Sequence, residues 1–562
     1  MADPKITRSK RALFERIGWS VATRDDRAVA KAVADGDELD AVYGLEQAGL
    51  LDAFMAFLGD IGLISYLEGM KASTRQRFIV PTCVVLLTYM TKVLMGIEHL
   101  YSMPDVLFSD PGVMKVIGMN ARWLSEGLCN RSHEKRGEGK EPPKPFSAQM
   151  IGNFLSSLTI SESAALFNEA IRCLAASKAF PSEITLVIDG TDVETTDKCQ
   201  GIGRVIRDEK IPDSAGPIKT VPVEVHGFKA IVAFDLTTEI PLGVIVTKIN
   251  RHESLFTRRL VEQVQANLSP SNGKITKVLV DRGFIDGETM WWLDQQGISF
   301  VVPAKSNMLV YKGAHEESKA NKGVVQSRTR SVTHGHGRNK TVEHLETEII
   351  GISNLPYWES YNDPEKAKSR MNRGYIPKHI NAVVVRKWNN HDYGPAGKGV
   401  FLTNQPVNKP FLIFDDYDRR SLIENALFRE GKQGWALEKI PQKTQRAAVA
   451  HIFITFAMIA LTMAYRSWMK QEEDDHEKAV ARIKAQGSSL RLHTSEELGI
   501  RKWRIELAQL TRDFSIIFVG ESYGLFHMAE VMVLSGRKVK EIPRKIGTIS
   551  DIYRRYGLQP PD

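Results

Sequence analysis

Ile184-Thr-Leu-Val-Ile188 is a short β-branched run that stops at Asp189-Gly190, and the pattern recurs where Ile275-Thr-Lys-Val-Leu-Val280 stops at Asp281-Arg282-Gly283. Runs of this kind read as strands, here predicted to be parallel. In open α/β sheets the carboxyl ends of such strands are where sites form. A single aspartate there is often only a turn or helix cap. Two in one sheet make an acidic site more credible, and Gly190 and Gly283 suit the tight exits such positions need.

Outward from these runs, Phe228–Leu236 and Leu242–Ile249 read as a hairpin. Phe256–Asn267 and Gly287–Gln296 read as helices and Ile298–Pro303 as a strand. The order β, β-β, α, β, α, β predicts a mixed sheet with helices packed on it, so the fold class is α/β. Residues 181–303 form the first part of this core. Residues 304–410 are rich in Gly, Asn, Lys, Arg and Thr, with strand-like runs at Thr347–Ile352, Ala382–Trp388 and Gly399–Leu402 and no long helical pattern. They read as a β-rich insertion. Helix returns at Asp418–Glu430 and Gln442–Gln471, giving a second core part over 411–470. Residues 1–150 and 471–562 read as helical regions. Helical spacing is clearest at Glu46–Leu67, Ile79–Leu100 and Ser147–Ala179, with a linker at Asn130–Pro145.

The 562 residues are 43% hydrophobic and carry a formal net charge of +8. That allows several domains with a large core, and the basic excess favours polyanionic partners. Cys83, Cys129, Cys173 and Cys199 form no C-x-x-C pair, so neither a disulfide framework nor structural zinc is expected. No apolar run follows the N-terminal Lys5, Arg8, Lys10 and Arg11, so no secretory signal is expected. Ala447–Tyr465 is long enough to span a bilayer. His451, Thr455 and Thr462 within it favour a buried core helix.

A third acid stands at Glu424. Tyr417, Arg420 and Glu424 are three and four residues apart and share one face if helical. An acid there can hold metal, while a cation and a hydroxyl hold phosphate oxygens. The same spacing also suits a solvated face with an i,i+4 ion pair.

With these residues the sequence resembles the DDE transposases of bacterial insertion sequences, in the subgroup marked by Y-x2-R-x3-E-x6-K. Tyr417, Arg420 and Glu424 match; position 431 is Gly, and the nearest lysine is Lys432. The IDGT context of Asp189 and the DRGF context of Asp281 also resemble the family, over about Ser182 to Arg466. The resemblance implies an RNase H-like core interrupted by the β-rich insertion. It implies cut-and-paste transposition, with Asp189, Asp281 and Glu424 as catalytic and metal-binding acids. Two divalent cations are implied, Mg with Mn able to substitute, as is DNA contact by Tyr417, Arg420 and Lys432. The implied partners are double-stranded DNA (terminal inverted repeats and target) and a second copy of the chain in a homodimeric synaptic complex, with no membrane. The expected location is cytoplasmic, at the nucleoid when acting. A domesticated DNA-binding protein or nuclease derived from a transposase is the alternative.

Further residues admit two readings. Trp291, Trp292, Trp388 and Trp435 suit stacking on a displaced base or plain packing. The run from Lys305 to Lys340 suits a phosphate-tracking surface or a solvated loop, as does the tail with Arg537, Lys538, Lys540, Arg544, Lys545, Arg554 and Arg555. His334 and His336 lack a third metal ligand.

Overall fold

The computed structural model describes residues 23–44, 51–70, 72, 80–119, 147–211, 219–334, 340–362, 378–485, 514–520, 522–537, 539, 542 and 546–561. The chain divides into two compact units. The central unit is Leu174–Gly434; the split unit combines Met1–Cys173 with Trp435–Asp562. Strands are numbered along the chain. The split unit holds β1 (Thr23–Arg24), β2 (Ala41–Gly44), β14 (Phe514–Val519) and β15 (Ser522–His527). The central unit holds β3 (Glu183–Thr195), β4 (Gly203–Ile211), β5 (Lys219–Asp235), β6 (Pro241–Lys248), β7 (Lys274–Val280) and β8 (Ser299–Pro303). It continues with β9 (Val324–His334), β10 (Thr341–Leu355), β11 (Ile380–Trp388), β12 (His391–Asp392) and β13 (Gly399–Thr403).

The central unit is mixed α/β. Its strands form one sheet in the order β4-β5-β3-β7-β8-β13-β11-β10-β9, with β6 paired to β5 and β12 to β11. β7 is parallel to both its neighbours, β3 and β8. This parallel centre explains the apolar triplets that end both runs. Leu186, Val187, Ile188, Val278, Leu279 and Val280 are all fully buried, because helices and neighbouring strands leave neither face to water. Each such side chain contributes roughly 1.5–3 kcal/mol of burial. The helix Thr257–Leu268 packs Leu260, Val261 and Val264 onto β5, β6 and β7. The helix Gly287–Gln295 is capped by Asp286, whose carboxylate accepts from the Thr289 amide at 3.0 Å.

The described strands of residues 304–410 continue the main sheet. β13 pairs antiparallel with β8, which carries the main sheet straight on through β11, β10 and β9. An eleven-residue helix, Leu309–Lys319, lies in a stretch expected to lack one, with Val310, Gly313, Ala314 and Ser318 buried. β4 and β9 were not apparent from the sequence; both are edge strands, and the exposed side chains of β9 weaken the apolar signal.

The mainly helical reading of residues 1–150 and 471–562 missed strands in both stretches. β1 pairs with β15 and β2 with β14, so a four-stranded sheet, order β1-β15-β14-β2, is built from both ends of the chain. Its core joins Val29, Ala30 and Val33 to Ile517, Phe526, Val533, Ile552 and Tyr556. Strands of two and four residues carry too little periodicity to be read. The helix expected over Glu46–Leu67 is described from residue 51 and breaks into Leu51–Asp60 and Leu63–Gly69 at Gly62, whose φ is +83°. The Asn130–Pro145 linker lies outside the described residues.

The long helix Gln445–Ala485 contains the apolar span. Gln445–Trp468 is long and apolar enough to cross a membrane, yet most of it is buried within the protein. His451 explains how its polar residues are housed. Nε2 reaches the Ala436 carbonyl at 3.0 Å and must therefore carry the proton, leaving Nδ1 to accept from the Tyr89 hydroxyl at 2.9 Å. Burial holds this imidazole down at about 3, well below its ordinary value.

Candidate active site

From Thr185 opposite Lys277, β3 and β7 stay in register up to Ile188 opposite Val280. The next residues on the two strands are Asp189 and Asp281, which therefore emerge side by side. Asp281 leaves the sheet into the turn Arg282–Phe284. Asp189 does not end its strand: β3 continues to Thr195 against β5, with Asp189 opposite Val232. The expected strand end is thus only the end of the parallel pairing. Nor do Gly190 and Gly283 serve a special backbone conformation, since neither has a positive φ.

The third acid comes from an irregular helical segment. Pro410 opens the helix Pro410–Asp418, where its missing N–H costs nothing. A 3-10 turn follows at Arg419–Ser421, then a π-helical stretch at Ile423–Phe428, then a short α-helix at Arg429–Gln433. The expected single helix over Asp418–Glu430 is therefore corrected to three helical geometries. Its first part is tied to the sheet by successive side chains. Asp415 accepts from both terminal nitrogens of Arg328 at 2.7 Å, Asp416 pairs with Lys277 of β7, and the Tyr417 hydroxyl donates to Asp281 Oδ1 at 3.3 Å. The Tyr417 ring lies against Phe401, centroids 4.7 Å apart.

Arg420 joins the acids. Nη1 donates to Asp189 Oδ2 at 2.7 Å and Nη2 to Glu424 Oε1 at 3.3 Å. Its guanidinium carbon is 5.6 Å from the centre of the Tyr417 ring. Asp189 and Arg420 are each 13% exposed and Glu424 is 57% exposed. Asp189, Asp281, Glu424, Tyr417 and Arg420 thus form one connected cluster. Burial pushes the Asp189 carboxyl up to about 6, against Arg420 and the Gly190 N–H (2.8 Å from Oδ1), while Glu424 and Asp281 push the same way as burial. Tyr417 is raised, chiefly by burial. Burial works against the charge of Arg420, but Tyr417, Asp189, Asp281 and Glu424 outweigh it and raise its pKa. Arg420 Nε is buried without an acceptor.

Lys432 sits on the short helix Arg429–Gln433, half-buried. Between it and Glu424 the Arg429 N–H bonds back to the Glu424 carbonyl, an i to i+5 link. Such a turn takes up one residue more than an α-turn. The segment from Glu424 to Lys432 therefore rotates less per residue than a plain α-helix.

Among the described residues no group of three or more His, Cys, Asp or Glu side chains is arranged to hold a metal ion. Arg420 occupies the position between Asp189 and Glu424. The donor chemistry still fits a hard divalent cation: Arg420 and Tyr417 link three carboxylates, and one guanidinium offsets only part of their charge.

Trp292 stacks under Arg258 at 4.9 Å, Trp291 is half-buried and Trp388 is exposed at the end of β11. Trp435 belongs to the split unit. Of the basic residues, Arg328 is engaged by Asp415, Arg554 by Asp551 and Arg555 by the buried Glu530. His334 pairs with Glu343 at 3.2 Å. His336, Lys538, Lys540, Arg544 and Lys545 lie outside the described residues. One group escaped the sequence reading. Glu253, bonded to Lys229 Nζ at 2.7 Å, lies against Gly190 and Gly283. Those glycines were its only trace in the sequence.

The family model of the transposase DDE domain matches residues 181–461, half of the chain. The protein belongs to the DDE transposase family. That family acts in transposition and generally uses divalent metal ions. No curated protein matches. Among solved structures the chain is similar to a piggyBac transposase, seen by cryo-EM in a synaptic complex with hairpin DNA. The identity is 12%, the match covers 87% of this chain and 80% of that one, and the TM-score is 0.31.

Proposed function

We propose that this protein is a cut-and-paste transposase of an insertion sequence, of the subgroup marked by tyrosine, arginine, glutamate and lysine. It cleaves the ends of its element and joins them to target DNA from one RNase H-like site. The observation that carries this reading is the connected cluster of Asp189, Asp281, Glu424, Tyr417 and Arg420 within a chain of this family.

Asp189, Asp281 and Glu424 would hold two divalent ions, Mg or in its place Mn. When bound, such ions activate a water or 3′-hydroxyl and stabilise the leaving oxygen of an in-line displacement. Arg420 neutralises Asp189 and Glu424 while they wait, and its guanidinium then turns to a phosphate. The buried, acceptor-less Nε–H supports this role, because an orphan donor of that kind costs about 1–3 kcal/mol until satisfied. Tyr417, held between Phe401 and Asp281, offers its hydroxyl to the same phosphate. The i to i+5 link supports Lys432 as the lysine of the signature. The extra residue of the π-turn offsets its one-place displacement and returns it to the face of Glu424.

The substrates are the element's terminal inverted repeats and target DNA, and two copies of the chain bring two ends together. The site of action is the bacterial nucleoid. The test is a Mg²⁺-dependent cleavage assay on the element's own end DNA, comparing the protein with Asp189→Ala, Asp281→Ala and Glu424→Gln. Each variant is expected to lose cleavage; one that cuts at the parent rate removes its residue from the set. Absence of cleavage together with tight binding to that DNA supports a domesticated DNA-binding protein instead.

A further inference from the structure

The hydrogen-bonded register that holds β3 to β7 ends at Ile188 and Val280, one residue short of both acids. Beyond that point the ladder no longer fixes the separation of Asp189 from Asp281. Glu253 lies at this gap. It opens the 3-10 turn Glu253–Phe256, which packs on the turn Arg282–Phe284 that follows Asp281. A Cβ at position 190 would lie 2.7 Å from Glu253 Oε1, and one at position 283 would lie 2.7 Å from Oε2, closer than real side chains approach. The two oxygens of one carboxylate therefore rest on the backbones that follow the two acids. Gly190 comes directly after Asp189 and Gly283 two residues after Asp281. Neither has a positive φ, and a Cβ at either place would meet only the Glu253 side chain, so what glycine spares there is a displacement of that carboxylate.

Lys229 fixes the carboxylate. Its Nζ donates to Oε1 at 2.7 Å, and it stands opposite Asp192 on the β3–β5 pair, 3.9 Å from Asp192 Oδ1. Arg207 closes the same network through Asp192 and Glu194. The Glu253 and Lys229 side chains are 23% and 16% exposed. The pairing offsets the charge of Glu253, so a fourth acid can sit here without adding its full repulsion to the other three.

We infer that Glu253 is a positioning residue: a wedge, tethered by Lys229, that sets the separation of Asp189 and Asp281. In its effect on catalysis the inference rests on the transposase reading; in its effect on packing it does not. Both are tested by crossing Glu253→Ala with Gly283→Ala. Glu253→Ala lowers the single-turnover rate of end cleavage about 10- to 100-fold, the scale expected for a misplacement of about 1 Å. The apparent DNA affinity stays unchanged. Gly283→Ala lowers the rate by a similar factor in the parent but by less than about threefold in Glu253→Ala, where its methyl has room. The melting temperature follows the same pattern: Gly283→Ala lowers it in the parent and not in Glu253→Ala.

Should Glu253→Ala fail to fold, Glu253→Asp withdraws the wedge by one methylene and gives partial relief of Gly283→Ala. Equal cost of Gly283→Ala in both backgrounds overturns the wedge. So does parent-rate cleavage by Glu253→Ala, or a loss of DNA affinity with no change in rate. If the unsubstituted protein does not cleave end DNA, the transposase reading fails, and the melting-temperature cycle still decides the wedge.

Discussion

Two of the three acids stand on strands and the third on a helix, and their supports could hardly differ more. Asp189 and Asp281 follow a parallel ladder whose last three residues on each strand are fully buried. Glu424 sits in a half-exposed segment that changes from 3-10 to π to α geometry within fifteen residues, 419 to 433. The strands give a fixed edge; the helical segment gives an adjustable arm. Uneven helical geometry of this kind is often found at functional sites, and here it carries the one acid that Arg420 holds at 3.3 Å rather than 2.7 Å.

Chain-length changes break this contrast most directly. Asp189→Glu or Asp281→Glu pushes a carboxylate out from a rigid edge and should cost roughly 10²- to 10³-fold in single-turnover cleavage. Glu424→Asp should cost only about tenfold, because the segment can follow. Equal losses at all three positions would erase the distinction.

Deleting Ala426 sharpens it. Removal of one residue lets the π-turn close as an α-turn and keeps Lys432 on the face of Glu424, so cleavage should stay within about tenfold of the parent. Duplicating Ala426 turns the lysine away and should cost on the order of 10²-fold.

The buried edge also has a pH signature, measured without metal. Asp189 keeps its proton up to about pH 6 in the folded protein, against 3.8 when unfolded. Its contribution to stability is full below about pH 3.8 and is lost as pH rises through 6, by roughly 2–3 kcal/mol. Asp189→Asn should remove this decline from urea-unfolding curves. His451 titrates with the opposite sign. Its pKa falls from 6.5 to about 3 on folding, so stability is lost as pH falls from 6.5 towards 3. His451→Gln should flatten that limb alone.

The smallest effect is expected at Arg328. Its pair with Asp415 ties β9 to the helix carrying Tyr417, but both side chains are more than 40% exposed. Arg328→Ala should cost less than about 1 kcal/mol in thermal unfolding.

The acids themselves were legible, for distinct reasons. Asp189 and Asp281 follow apolar runs that burial on two faces makes conspicuous. Glu424 shows through its spacing to Tyr417 and Arg420. What could not be read depends on distant or non-repeating relations. Against a regular 3.6 residues per turn, the π-turn could surface only as a lysine one place too far along. Glu253 touches two glycines 63 and 30 positions away, and nothing local marks it. The continuity of the sheet past β8 depends on β13, a five-residue strand some hundred residues later whose partner no periodicity names. The same holds for β1 and β2.

That last feature sets a clock on synthesis. β2 ends at Gly44 and its partner β14 begins at Phe514. At about 5–20 residues per second the first strands leave the ribosome on the order of half a minute to a minute and a half before their neighbours exist. Throughout that interval the helix Asp26–Asp35 carries Val29, Ala30 and Val33 without the residues that will cover them. That helix stays open to aggregation and proteases until residues 514–556 have been made.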